Sequence, residues 1–336
     1  MKIDWQEIIG HQQNIECLHT LLAEQRMPHA LLFTGPQGVG KRRVGEVLAA
    51  ALLCTDSGPE PGKPCGHCAS CQALLTDTHP DFYTVVPESR GKSARIIRIE
   101  QVRELQTEIA RIPMLSPRRV VLMDDVETMN DAAANSLLKT LEEPAGQVVF
   151  ILITSARSSL LDTIVSRCMP LSFGTLPLPE LAAALSRQGV PAPQAAELAA
   201  LADGSLGRAL QLYQDGGMEL RDDAVSFLQG LGGMDMEGVW TRSRKMGELP
   251  REKLSEWFMY LNMLLRDMLV LYSGSHQQLL YHQDITGQLA AMLTDFSEQR
   301  IFLILELIRT VQQRLGANVN LRLLMESFLI RIRELQ

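Results

Sequence analysis

The sequence predicts an α/β protein, in which a doubly wound parallel sheet is followed by purely helical segments. Three observations carry this expectation. Up to about residue 174, short apolar runs alternate with patterns of helical period. A glycine-rich phosphate-binding loop stands between the first of those runs and the helix after it. Beyond residue 175 the strand signals stop, while amphipathic helical patterns continue to the end of the 336-residue chain.

In chain order, "ALLF" (30–33) reads as the first buried strand and "GPQGVGKRR" (35–43) as the loop that leaves it. Gly35, Gly40 and Lys41 fit GxxxxGK, with Gly38 as a further glycine within the loop, but Arg42 stands where a magnesium-binding hydroxyl belongs. A helix follows in "KRRVGEVLAAALL". "DFYTVV" (81–86) is expected to be a second buried strand. Val102, Leu105, Ile109 and Ile112 then recur at helical spacing in "IEQVRELQTEIARIP". "RVVLM" (119–123) forms a third strand and ends in Asp124, the place of the carboxylate that orients magnesium in P-loop enzymes; Asp125 follows where many of them carry a water-activating glutamate. "NDAAANSLLKTLEEP" is a helix stopped by Pro144, and "VVFILIT" (148–154) is the fourth strand.

Two losses in this site count against hydrolysis. Arg42 places a cation where Mg²⁺ expects an oxygen ligand, and Asp125 reaches one methylene less than glutamate. The site is expected to bind ATP or ADP at most. Glu127 is read as capping and solvating a helix start, and the basic stretch Arg90, Lys92, Arg95 and Arg98 as a solvated loop.

Four of the six cysteines cluster as Cys54, Cys65, Cys68 and Cys71. Thiolates at this spacing in a short Gly- and Pro-rich insert close a tetrahedron around one Zn²⁺, leaving no coordination position for a substrate. An iron-sulfur cluster is the smaller alternative, and His67 is a spare ligand. Cys17 and Cys168 have no such company and read as small buried apolar residues.

Residues 175–213, rich in alanine and leucine, suggest a small three-helix unit, and "QDGG" (214–217) a boundary. Residues 218–336 read as a helical bundle or assembly domain. The net charge of −7 argues against a free-standing nucleic-acid binder. No apolar run reaches membrane length and the N-terminus lacks signal-peptide order, so a soluble cytoplasmic protein is expected, with no membrane partner.

Taken together, the phosphate loop, the inserted cysteines, "LMDDVETMN", "NSLLKTLEEP", "ILITSARSSLLDTIVSRC" and "GSLGRAL" resemble the AAA+ clamp-loader subunits of bacterial DNA polymerase III. The specific motifs cover about residues 5–212; the remainder is similar to the family's collar domain in length and character only. The resemblance implies an AAA+ P-loop domain (1–174, zinc insert 54–71), a helical lid (175–213) and a collar for oligomerisation (218–336). It implies a hetero-pentamer with gamma/tau-like ATPase subunits and a delta-like subunit, acting on a sliding clamp and primed DNA. It gives Arg167 of "SRC" as an arginine finger acting in trans on a neighbour's ATP, Thr154 as a sensor near the γ-phosphate and Arg208 as the second sensor on the lid. Arg42 and Asp125 set the chain apart from the gamma/tau motor, which would keep GKT or GKS and Asp-Glu. An active motor subunit, and an independent zinc-dependent DNA-binding protein, are the competing readings.

Overall fold

The computed structural model describes residues 3–56, 62–89, 95–144, 146–214, 219–274, 279–316 and 319–335. The chain divides into two compact units, one running through Leu210 and the other from Gln211 onward.

The first unit opens with α1 (Gln12–Ala23), a helix that the strand-centred sequence pattern does not reveal, and continues with β1 (Ala30–Thr34), α2 (Lys41–Leu53) and α3 (Ala69–Leu75). Next come β2 (Phe82–Val85), α4 (Ile99–Ile109), β3 (Arg119–Met123), α5 (Asp131–Glu142), β4 (Val148–Thr154), the single turn α6 (Asp162–Val165) and β5 (Met169–Ser172). The five strands are parallel in the order β2-β3-β4-β1-β5. Alternate residues of the central strands feed two cores. Leu31, Phe33, Leu122, Ile151 and Ile153 pack with α1 and α2, while Leu32, Val121, Met123, Phe150 and Leu152 pack with α4 and α5. Both faces are therefore covered, the arrangement that makes β1, β3 and β4 read as continuous apolar runs.

Two expectations change at the margins of the sheet. β2 is an edge strand whose Thr84 is exposed, so "DFYTVV" is only half buried. β5 lies at the other edge, where the missing N–H of Pro170 costs no ladder bond; that proline hides the strand from sequence pattern. α4 ends at Ile109, and Ile112, placed by periodicity on its buried stripe, is 87% exposed on the loop beyond. Three helices follow: α7 (Leu178–Arg187), α8 (Ala192–Leu201) and α9 (Leu206–Gln214), the last of which begins in the first unit and ends in the second.

Among the described residues the second unit has helices and no strand: α10 (Glu219–Gly230), α11 (Met236–Gly247), α12 (Arg251–Tyr272), α13 (Thr286–Met292), α14 (Glu298–Leu315) and α15 (Leu321–Glu334). Its core centres on Phe227, Trp257, Phe258 and Phe328, with ring centroids 5.0 Å apart for Phe258 and Phe328. Aromatic clusters of this kind supply large buried area in few residues. No described helix is long and apolar enough to cross a membrane.

Candidate functional site

The loop after β1 and the acidic residues after β3 meet at the carboxyl edge of the sheet, where doubly wound folds bind ligands. Gly35, Gly38 and Gly40 all adopt positive φ, and Gly40 caps the N-terminus of α2, so its backbone N–H groups open toward the loop. A side chain at Gly35 would place Cβ 2.1 Å from the Phe173 carbonyl oxygen. Lys41 is buried, and its Nζ donates to the carbonyls of Gly35 (2.6 Å) and Pro36 (2.7 Å). Burial lowers its pKa, against the opposing pull of Asp124, Glu127 and Asp125.

Arg42 turns across this edge. Its guanidinium pairs with Glu46 at 3.1 Å and with Asp124 at 3.4 Å, so a fixed cation sits against the carboxylate expected to orient a metal. Asp125 holds a left-handed backbone, φ 49°, and burial, then Asp124 and Glu127, raise its carboxyl above the usual range. Glu127 has a different place from the one expected. Its Oε1 accepts from the N–H and hydroxyl of Ser155 at 2.9 and 2.5 Å, tying the end of β3 to the end of β4. Burial opposes ionisation there, but the Ser155 hydrogen bonds outweigh it and lower the pKa. Thr154 is fully buried at the end of β4, and its hydroxyl accepts from the N–H of Ala156.

α9 meets the phosphate loop through backbone. The Gly207 N–H donates to Gly38 O at 2.9 Å, Ser205 Oγ donates to Gln37 O at 3.0 Å, and Arg208 N–H donates to Ser205 Oγ. Gly38 must lack a side chain, because a Cβ there would stand 2.3 Å from Ser205 Oγ. Arg208 is thereby brought to the loop through its backbone. On the N-terminal side, His11 Nε2 lies 2.8 Å from Val39 O and its ring meets the edge of Phe173. Sequence reasoning missed Ser205 and His11, whose roles come from tertiary contact alone.

Arg167 follows α6, half exposed. It pairs with Glu142 at 2.6 Å and donates to Thr163 O at 2.9 Å. Glu142 belongs to "LEEP", read from sequence only as a helix end. Arg90 and Lys92 lie outside the described residues. Arg95 and Arg98 donate to the carbonyls of Pro87 and Glu88, folding back on their own loop.

The cysteines converge as their spacing predicts. The sulfurs of Cys54, Cys65, Cys68 and Cys71 all lie within 4.8 Å of one another, and two pairs are 3.9 Å apart. Zinc–sulfur bonds of about 2.3 Å in a tetrahedron require sulfurs about 3.8 Å apart, so the set fits one Zn²⁺. Burial works against the Cys68 thiolate, but hydrogen bonds from Thr55 and the Cys71 N–H outweigh it and bring its pKa to about 5. Burial pushes Cys71 and Cys54 upward. His67 pairs instead with the exposed Asp56, at 3.1 Å. Cys168 is buried and Cys17 half-buried, apart from this set.

A five-stranded parallel sheet, a glycine loop leading from β1 into α2, an acidic pair after β3 and a helical segment seated on the loop define the class: an AAA+ P-loop protein. Within that class, the family described as "DNA polymerase III, delta subunit" matches residues 10–177. DNA polymerase III subunit delta' of Escherichia coli is 33% identical over 308 residues, covering 90% of this chain and 88% of the relative. The delta' subunit of Pseudomonas aeruginosa is 39% identical over 231 residues, 68% of this chain and 66% of the relative. The tau/gamma subunit of Haemophilus influenzae is 31% identical over 67% of this chain and only 33% of its own length. The chain belongs to the family of DNA polymerase III subunit delta'.

Proposed function

We propose that this chain is a delta'-type subunit of a DNA polymerase III clamp loader that serves as a non-hydrolysing partner within the ring. The observation carrying this reading is the Arg42 guanidinium held between Glu46 and Asp124. A divalent ion at Asp124 would have to displace or face that cation, and no hydroxyl at position 42 is there to receive it. Lys41 and the glycine-loop N–H groups hold ATP or ADP at most, with turnover absent. Thr154 and Arg208 keep the places of the two sensors on a site whose chemistry has lapsed.

The chemistry the chain serves is a neighbour's. Arg167 reaches in trans to ATP on a gamma/tau-like subunit, where a guanidinium stabilises charge developing on the transferred phosphoryl group. The helices of 218–336 form the collar through which the chain assembles with those ATPases and a delta-like subunit in a hetero-pentamer, and the helices of 175–213 act as the lid. The complex loads a sliding clamp on primed DNA in the cytoplasm. Zn²⁺ on Cys54, Cys65, Cys68 and Cys71 pins the insert, with no exchangeable position for substrate.

The direct test is phosphate release from ATP by the purified, zinc-replete chain. The reading expects none above background. Turnover that disappears in Lys41→Ala would overturn it in favour of an active motor subunit.

A further inference from the structure

Beneath the cysteine knot lies a buried polar network that the nucleotide site does not use. Leu53, the last residue of α2 and the neighbour of Cys54, has a carbonyl left over by helix geometry. It accepts from two hydroxyls, Ser70 Oγ and Ser116 Oγ, both at 2.7 Å. Ser70 sits between the ligands Cys68 and Cys71, whereas Ser116 belongs to the loop that joins α4 to β3. The two hydroxyl oxygens are 3.2 Å apart, and His79 Nε2 faces both, at 2.8 and 3.2 Å. Because His79 Nδ1 accepts from the Asp81 N–H at 3.0 Å, its proton resides on Nε2 and is donated to the serines.

The same loop is gripped from its other side. The Asp81 carboxylate, fully buried, accepts from the N–H groups of Met114 (2.8 Å), Leu115 (2.7 Å) and Ser116 (2.9 Å). Arg119 pairs with Asp81 and donates to Ile112 O at 2.8 Å and to Glu108 O. Held in this way, the loop projects Ile112 and Met114, which are 87% and 82% exposed.

We propose that the metal knot is the fastener of this loop: Zn²⁺ on the four cysteines fixes Leu53 O and Ser70 Oγ where Ser116 is captured, and so sets the posture in which Ile112 and Met114 are displayed. Knot and loop are remote in sequence and meet at this buried junction. Coupling through it is reciprocal, so loosening the loop also loosens the metal.

The experiment is hydrogen exchange on the full chain, read at the peptide spanning residues 113–118, before and after zinc is removed with a chelator. Exchange there should quicken about tenfold or more on removal, while the β4 peptide stays protected. Equal exchange with and without zinc, at intact β4 protection, overturns the proposal. If stripping melts the whole first unit, β4 reports it, and Ser116→Ala decides instead. That variant keeps all four thiolates and should load one zinc per chain, yet release it to the chelator about fivefold or more faster than the parent. An unchanged release rate overturns the proposal by itself.

Discussion

The Arg42 guanidinium and the Asp124 carboxylate form an ion pair of 3.4 Å at the point where a P-loop enzyme holds its metal. Replacing Arg42 by threonine removes the cation and supplies the missing hydroxyl. Affinity for magnesium nucleotide, measured by titration calorimetry, should rise about tenfold, a change of about 1.4 kcal/mol. Turnover should remain at background, since Asp125 still stops one methylene short, and a misplacement of about 1 Å costs on the order of a hundredfold. Stability should shift by less than about 1 kcal/mol, because the pair is partly solvated. Hydrolysis restored by Arg42→Thr alone would show that Asp125 suffices as a base.

Arg167 and Glu142 give a second test, in the reconstituted complex. Arg167→Ala should leave assembly by gel filtration intact and lower turnover at the one neighbouring site by on the order of 10³-fold. Glu142→Gln removes the resting partner at 2.6 Å but leaves the guanidinium free to reach outward, so the rate should stay within about twofold of the parent. Equal loss in both variants would mean that the pair is structural and the arginine no finger.

How far the sequence disclosed this molecule depends on how local each cause is. β1, β3 and β4 were legible because both faces of a central parallel strand are buried, and the cysteine knot because ligand spacing is a short-range constraint. β5 was hidden by Pro170, which only an edge strand tolerates. Ile112 continued the period of α4, but the helix ends before it, and Asp81 and Arg119 hold the backbone of the loop beyond in another course. Glu127 resembled a helix-start acid because its partner Ser155 is distant in sequence. At the nucleotide site the altered residues could be read directly, but the Arg42–Asp124 contact and the seating of Gly207 on Gly38 belong to tertiary structure.

In the second unit, Asp267 is fully buried and accepts from Arg266 (3.0 Å), the N–H groups of Tyr281 (3.0 Å) and His282 (2.9 Å), and His282 Nδ1 (2.9 Å). Burial opposes its charge, but these hydrogen bonds, that of His282 first, lower the pKa below the ordinary carboxylate value of 3.8. A depressed folded-state pKa contributes stability that is present above the unfolded value and lost as pH falls through the folded one. Asp267→Asn should therefore cost about 3–5 kcal/mol in urea unfolding at pH 7. The gap between variant and parent should narrow as pH drops below about 4. A gap that does not change with pH would mean that the loss is steric and not one of charge.

The contact between Gly38 and Gly207 predicts a backbone-specific failure. Gly38 has φ 74°, and a Cβ there would lie 2.3 Å from Ser205 Oγ and 3.3 Å from Arg208 N. Alanine in this left-handed conformation costs about 1–2 kcal/mol before any clash is counted. Gly207 has no such backbone demand, yet its Cβ would stand 3.1 Å from Gly38 Cα and 3.2 Å from Gly38 O. Gly207→Ala should thus isolate the effect of pushing α9 off the phosphate loop, losing the 2.9 Å bond from Gly207 N–H to Gly38 O and about 0.5–1.5 kcal/mol with it. Hydrogen exchange at the Gly207 amide should accelerate in this variant while the β1 and β4 amides remain protected. Gly38→Ala should accelerate the same amide and also lower the melting temperature further than Gly207→Ala does, because strain adds to the lost contact. If Gly207→Ala leaves its own amide as protected as in the parent, the seat of α9 does not depend on that glycine pair.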